Sequence, residues 1–164
     1  MHLDCNLTWK SYLDNLIKKL SSICFMLRKL LPILNVKMVR MVYCAHFYSQ
    51  ISYGITFWGS SLSIRNVFII QKRAIRILLR LGPKSSCREG FKKLDTLTVP
   101  CLHIYALMIP GVKILNIYKT ISSVHAMNTR QQNKLHIPLV GLSMQRSVYY
   151  SSVKTFNQFP QNIF

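Results

Sequence analysis

The sequence predicts an all-α protein: a three-helix bundle followed by a mainly helical C-terminal extension that contains an irregular connection. Three observations predict it. Apolar residues recur at three- and four-residue steps through three successive stretches, which is the period of a helix buried along one face. Proline and glycine punctuate those stretches at Pro32, Gly54 and Gly82-Pro83. Half of the residues are apolar, whereas a disordered basic tail is poor in hydrophobic residues.

The first helix is expected from Trp9, with Tyr12, Leu13, Leu16, Leu20, Ile23, Leu27, Leu30 and Leu31 on its apolar stripe. Thr8 is the expected N-cap. Pro32 sets the stop, because the residue before a proline is driven out of the α region. Asn35 caps a second helix whose stripe, Val36, Val39, Tyr43, Phe47 and Ile51, runs to Gly54. Met38, Met41, Val42 and Ala45 widen that stripe, so this helix is expected to pack on more than one side. Ile55 to Gly59 reads as a tight, buried turn. Ser63 opens a third helix through Val67, Ile70, Ala74, Ile77, Leu78 and Leu81, with Gly82 as its C′ residue.

Beyond it, Ser86 and Glu89 have capping-box spacing for a short helix to Leu94. Thr98 caps another from Val99 to about Tyr118, bent or broken at Pro110-Gly111. Residues 120 to 143 form an irregular connection with a brief strand at Leu135 to Val140. A last helix runs from Met144 to about Asn157, carrying Val148, Val153 and Phe156.

Charge bounds the function. Lys and Arg number 22 against four acids (Asp4, Asp14, Glu89 and Asp95), a net charge of +18 on 164 residues. A chain of this length buries roughly 70% of its unfolded surface. Its surface then carries one sign of charge, which repels itself and favours a polyanionic partner or a larger host protein. Hydrolytic and phosphoryl-transfer chemistry needs clustered carboxylates, and only Glu89 and Asp95 are close in sequence. No catalytic residue is assigned.

The five cysteines (Cys5, Cys24, Cys44, Cys87 and Cys101) are odd in number and lack C-x-x-C spacing, and the five histidines add no zinc pattern. They read as reduced intracellular thiols, with Cys24 and Cys44 as small core residues. No metal ligand and no cofactor are assigned. The start of the chain lacks the order of a signal peptide, so an intracellular location, nuclear or cytoplasmic, is expected. The uncharged runs Met41 to Ile64 and Leu97 to Val112 are interrupted by polar residues, Gly and Pro, and read as buried helices.

The strongest local feature is Gln71-Lys72-Arg73-Ala74-Ile75-Arg76-Ile77-Leu78-Leu79-Arg80. At about 100° per residue, Lys72, Arg73, Arg76 and Arg80 share one helical face, continued past the turn by Lys84 and Arg88. Ile70, Ala74, Ile77 and Leu81 are expected on the opposite face. These six basic residues are the candidate nucleic-acid-binding set, since too few acids exist to pair them. Lys18-Lys19, Arg28-Lys29, Lys37 with Arg40, Lys92-Lys93 and Thr129-Arg130 are secondary basic groups. Tyr43, Phe47, Tyr48, Tyr53, Phe57 and Trp58 are expected in the core by spacing, while Tyr149 and Tyr150 are better placed to stack on bases.

Leu3-Asp4, Leu7-Thr8-Trp9-Lys10, Ser52-Tyr53-Gly54, Trp58-Gly59 and Gln71 to Arg76, in that order, resemble the region after the polymerase core of non-LTR retrotransposon reverse transcriptases of the jockey-like group. Asn128-Thr129-Arg130-Gln131 and Phe156-Asn157 with Pro160 are similar to that group's C-terminal pattern. The resemblance implies a palm remnant at 1–7, a thumb-like bundle at 8–82 and a C-terminal extension at 83–164. It implies that Lys72, Arg73, Arg76 and Arg80 hold RNA, DNA or an RNA:DNA hybrid by its backbone. It also implies that the catalytic aspartates, and with them the Mg2+ of the parent polymerase, belong upstream of Met1. The chain alone is then a fragment without polymerase activity. Two other readings stand beside this one: a basic nucleic-acid-binding module with its own role, and a basic membrane-associated helical protein.

Overall fold

The computed structural model describes residues 8–113, 118–125, 130–141 and 147–159. The chain is all-α: among the described residues the one β feature is an isolated antiparallel bridge between Thr120 and Leu135. It divides into two compact units, Met1–Leu102 and His103–Phe164. Residues 1–7, where the resemblance placed a palm remnant, and Asn128-Thr129, Met144 to Arg146 and Pro160 lie outside the described residues.

In the first unit, α1 (Lys10–Leu30) buries Leu13, Leu16, Leu20, Cys24 and Leu27, the stripe expected from its period. Its N-cap is Trp9 rather than Thr8. Trp9 takes a left-handed backbone (φ 59) without a capping side chain, an uncommon conformation for a bulky residue. Its ring packs on Tyr12 and Phe57, each at 6.3 Å between centroids. Leu31 closes the helix before Pro32, and Arg28 and Lys29 in the last turn complement the negative end of the helix dipole.

Asn35 caps α2 (Val36–Val42), its Oδ1 accepting from the Met38 amide at 2.9 Å. A π-helical segment, Tyr43–Tyr48, leads directly into α3 (Ser49–Ser52). The wider turn has a physical consequence. Four-residue spacing drifts by about 40° per step on a regular α-helix, yet Val39, Tyr43, Phe47 and Ile51 are all fully buried. The i→i+5 segment absorbs the drift and keeps them on one face. Met38, Met41, Cys44 and Ala45 are exposed and Val42 is half-buried, so the rod packs on one side, contrary to the two-sided expectation. Cys44 is accordingly a surface thiol, while Cys24 is in the core.

Gly54 (φ 62) turns the chain into α4 (Ile55–Trp58). This short helix replaces the expected turn, with Ile55 and Trp58 buried and Phe57 exposed. α5 (Ile64–Leu78) starts after Ser63, packs along α1, and buries Val67, Gln71, Ala74, Ile75 and Leu78. Its buried face is rotated from the expected one: Ile70 and Ile77 are half-buried and Leu81 is exposed.

The helix also stops earlier than Gly82. Arg80 itself takes the left-handed C′ position (φ 52). The amide of Arg80 donates to Ile77 O at 3.1 Å and that of Leu81 to Arg76 O at 2.8 Å, which is the Schellman pattern.

α6 (Arg88–Lys93) begins after Cys87 without a side-chain cap, so the Ser86–Glu89 capping box does not form. Glu89 pairs with Lys92 instead, at 3.4 Å. Gly90 is needed for close approach, since a Cβ there would lie 2.8 Å from Leu79 Cδ1 and 2.9 Å from Ile75 Cγ2. Thr98 caps α7 (Val99–Lys113), its Oγ1 accepting from the Cys101 amide at 3.4 Å. The helix continues through Pro110-Gly111 rather than breaking there.

One polar residue closes this unit. Gln71 is fully buried, donating to Leu97 O (2.9 Å) and Tyr43 Oη (3.4 Å) and accepting from the Val99 amide (2.9 Å). These bonds and the Gly90 contact hold residues 83–102 to the helices before them. The first unit therefore ends at residue 102, where the sequence reading divided the chain after 82.

In the second unit, α8 (Ile121–Val124) is capped by Thr120, and α9 (Val148–Gln158) by Ser147. The expected strand at Leu135 to Val140 reduces to the single bridge at Leu135. Asn157 on α9 takes the place of a strand neighbour: its Nδ2 donates to Leu135 O at 2.8 Å and its Oδ1 accepts from the Leu135 amide at 3.0 Å.

Candidate nucleic-acid interface

α1 and α5 lie side by side, and their C-terminal ends form a groove of about 680 Å³. Four arginines line it: Arg28 from the last turn of α1, Arg73 and Arg76 from α5, and Arg80 just past its end. Leu31, Ile69, Ile77 and Leu81 supply its apolar lining. The helical period of α5 delivers Arg73 and Arg76 to one side. Arg80 reaches the same groove by another route, through its left-handed backbone.

Two of these arginines are held in place. Arg76 Nε donates to Ser85 O at 3.0 Å, which anchors the loop after α5. Arg80 Nη2 donates to Leu31 O at 3.2 Å, a favourable place for a cation because Leu31 closes the C-terminal end of α1. Each retains further N–H groups for a ligand. Orientation fixed before binding lowers the entropy that binding must spend. Arg28 and Arg73 are exposed.

Among the described residues the one ion pair is Glu89 with Lys92, so no described carboxylate pairs with the arginines of the groove. Arg73 and Arg28 also act electrostatically on buried Cys24. Burial pushes that thiol up to about 11, against the opposing pull of Arg73 and Arg28.

The candidate residues thus separate. Arg73, Arg76 and Arg80 come together, and Arg28 joins them from another helix. Lys72 does not: its ammonium sits over the Phe68 ring at 4.1 Å, and that ring also packs against Phe91 of α6 at 6.3 Å between centroids. Lys84 and Arg88 are exposed outside the groove. Ile77 and Leu81, expected in the core, line the groove instead. Arg28 was legible only as a basic pair with Lys29, since periodicity within one helix cannot show which ends of two helices meet.

The aromatic residues divide as well. Tyr43, Phe47 and Trp58 are core, whereas Tyr53 and Phe57 are exposed. In the second unit Tyr149 stacks on Tyr118, with centroids 4.9 Å apart, so one face of its ring already has a partner. Among the described residues no group of His, Cys, Asp or Glu is arranged to hold a metal ion, and no helix is long and apolar enough to cross a membrane.

The site defines a class, an all-α protein with a preset arginine groove that pairs with no carboxylate among the described residues. No family model, no curated protein and no solved structure matches the chain.

Proposed function

We propose that the first unit binds the phosphate backbone of RNA, DNA or an RNA:DNA hybrid through Arg28, Arg73, Arg76 and Arg80. The observation that carries this reading is the convergence of four arginines from α1 and α5 on one groove, with no ion pair to a carboxylate among the described residues. Guanidinium is the side chain best matched to phosphate, which it meets bidentately. The groove holds no array of carboxylates or amides to read base edges, so it supports backbone contact.

This role agrees with the resemblance to the thumb of jockey-like reverse transcriptases. In that reading the chain contributes grip, while polymerisation and its Mg2+ belong to a polymerase core supplied by the parent protein.

The test is binding of a fluorescent oligonucleotide as a function of salt. Four phosphate contacts predict a loss on the order of 100-fold in affinity between about 50 and 200 mM salt. Arg28→Glu with Arg73→Glu is the informative variant, because neither side chain holds up the backbone as Arg76 and Arg80 do. It is expected to flatten the log-log salt slope by about 1.4 to 1.8. An unchanged slope in a folded variant would refute the groove as the binding site.

A further inference from the structure

A second recess lies elsewhere on the first unit, between the N-terminal half of α1 and the end of α3. It holds about 460 Å³, in the range of about 300 to 1,000 Å³ usual for small-ligand sites. Tyr12, Asn15, Lys18 and Lys19 line it from α1, and Gln50 and Tyr53 from the other side. No arginine of the first groove contributes to it.

Tyr53 is the residue to explain. The residue is 64% exposed, so its ring contributes little to the core. Its backbone is nonetheless fixed from below. Buried Trp58 donates its indole Nε1–H to Tyr53 O at 3.0 Å, and Gly54 turns the chain immediately after it. The exposed ring therefore stands on a rigid support.

Tyr12 faces the same recess, backed edge-on by Trp9 at 6.3 Å. Burial, with the Tyr53 phenol nearby, raises the Tyr12 hydroxyl above its ordinary range, so it remains neutral at physiological pH. Lys18 and Lys19 are exposed at the rim. The amides of Asn15 and Gln50 offer both donors and acceptors.

We propose that this recess is a stacking site for unpaired bases of single-stranded nucleic acid, with Tyr53 as the platform and Lys18 and Lys19 meeting the adjoining phosphates. Aromatic faces beside lysine are the combination that binds single strands without regard to sequence, because every base has a π-face. A duplex keeps its bases stacked on one another and cannot use such a site. The proposal rests on the reading of nucleic acid as ligand but occupies a different surface, so the two fail separately.

The experiment compares a 12-mer oligo(dT), the same length of abasic oligonucleotide, and a blunt duplex, read by anisotropy and by Trp9 fluorescence. Oligo(dT) is expected to quench Trp9, and the abasic strand to bind about 5- to 150-fold more weakly. Tyr53→Ala keeps the carbonyl that Trp58 holds and is expected to weaken oligo(dT) over the same range. Tyr53→Phe keeps the ring and restores binding, and duplex binding stays unchanged throughout.

Equal affinity for abasic and base-bearing strands would overturn the stacking site while leaving the arginine groove intact. Loss of oligo(dT) binding in Tyr53→Ala, alongside an unchanged salt slope in the double arginine variant, would remove the groove and keep the stacking site. Polyglutamate competing as well as oligo(dT) would reject the base-binding role.

Discussion

In the first unit the buried side chains are almost all apolar and arrive in helical register, from Leu13 to Leu27 on α1, Val39 to Ile51 on the rod that contains the π segment, and Val67 to Leu78 on α5. In the second, the ordering contacts include many directional hydrogen bonds: Thr120 and Ser147 cap short helices, and Asn157 grips both backbone groups of Leu135. The difference shows what each unit depends on. Apolar burial is tolerant of geometry and accumulates with area, whereas each hydrogen bond contributes a net of only about 1 kcal/mol but is costly to leave half made. The first unit should open as a whole, and the second should open locally.

Gln71 is the exception inside the apolar unit, and removing it gives the largest expected effect. Gln71→Ala leaves Leu97 O and the Val99 amide without their partner and opens a cavity, at a cost of about 3 kcal/mol. Gln71→Met keeps the volume and is expected to lose about 2 kcal/mol, because the two backbone groups remain unsatisfied. Urea denaturation followed by tryptophan fluorescence measures both. A loss below about 0.5 kcal/mol in Gln71→Met would show that apolar packing alone closes the first unit.

The second unit's counterpart is Asn157→Ala. It removes two bonds at a partly exposed site and is expected to cost about 1 to 2 kcal/mol. The loss should be confined to residues around Leu135, with faster hydrogen exchange at its amide and no change at Val39 or Ile75. A shift of the first unit's unfolding midpoint would break the contrast between the two.

The same contrast explains what could be read from the sequence. Leu13, Leu16, Leu20 and Leu27 and the Asn35 cap follow from period and local chemistry, and the structure shows them; α1 also ends at Leu30, but Leu31 keeps an α backbone (φ -58, ψ -38), so Pro32 does not act by driving its neighbour out of that region. The groove was half legible. Arg73 and Arg76 share a helical face by arithmetic, but Arg80 reaches the groove through a left-handed C′ residue, and Arg28 through the way two helices meet. Lys72, one residue from Arg73, settles on Phe68 because contact with an aromatic ring competes with exposure. Gln71 looked like part of a basic surface run, since an amide's partners 26 and 28 residues away leave no local pattern. In the second unit the Asn157 clamp replaced a strand for the same reason.

The smallest expected effects come from pH, and they separate the units by sign. His103, in the second unit, has an Nε2 that is buried without a hydrogen-bond partner among the described residues, and burial lowers its pKa from 6.5. Below 6.5 the unfolded chain takes up a proton that the folded unit resists. Stability is therefore complete above that value, falls as pH drops through it, and levels off below the folded pKa. Cys24, in the first unit, runs the other way. Its pKa rises from 9.0 to about 11, and that of Tyr43 is raised in the same sense, each chiefly by burial. The unfolded chain there releases protons that the folded unit retains, so stability falls as pH climbs above about 9. Both tryptophans, Trp9 and Trp58, belong to the first unit, and the Val153 methyl resonances report the second. Between pH 8 and 5 the Val153 midpoint should drop while the Trp midpoint holds. His103→Leu should flatten that drop, and Cys24→Ala should soften the alkaline loss seen by Trp. If both midpoints move together across the acid range, the units do not titrate through their own buried groups, and the division drawn between them at residue 102 is not one of stability.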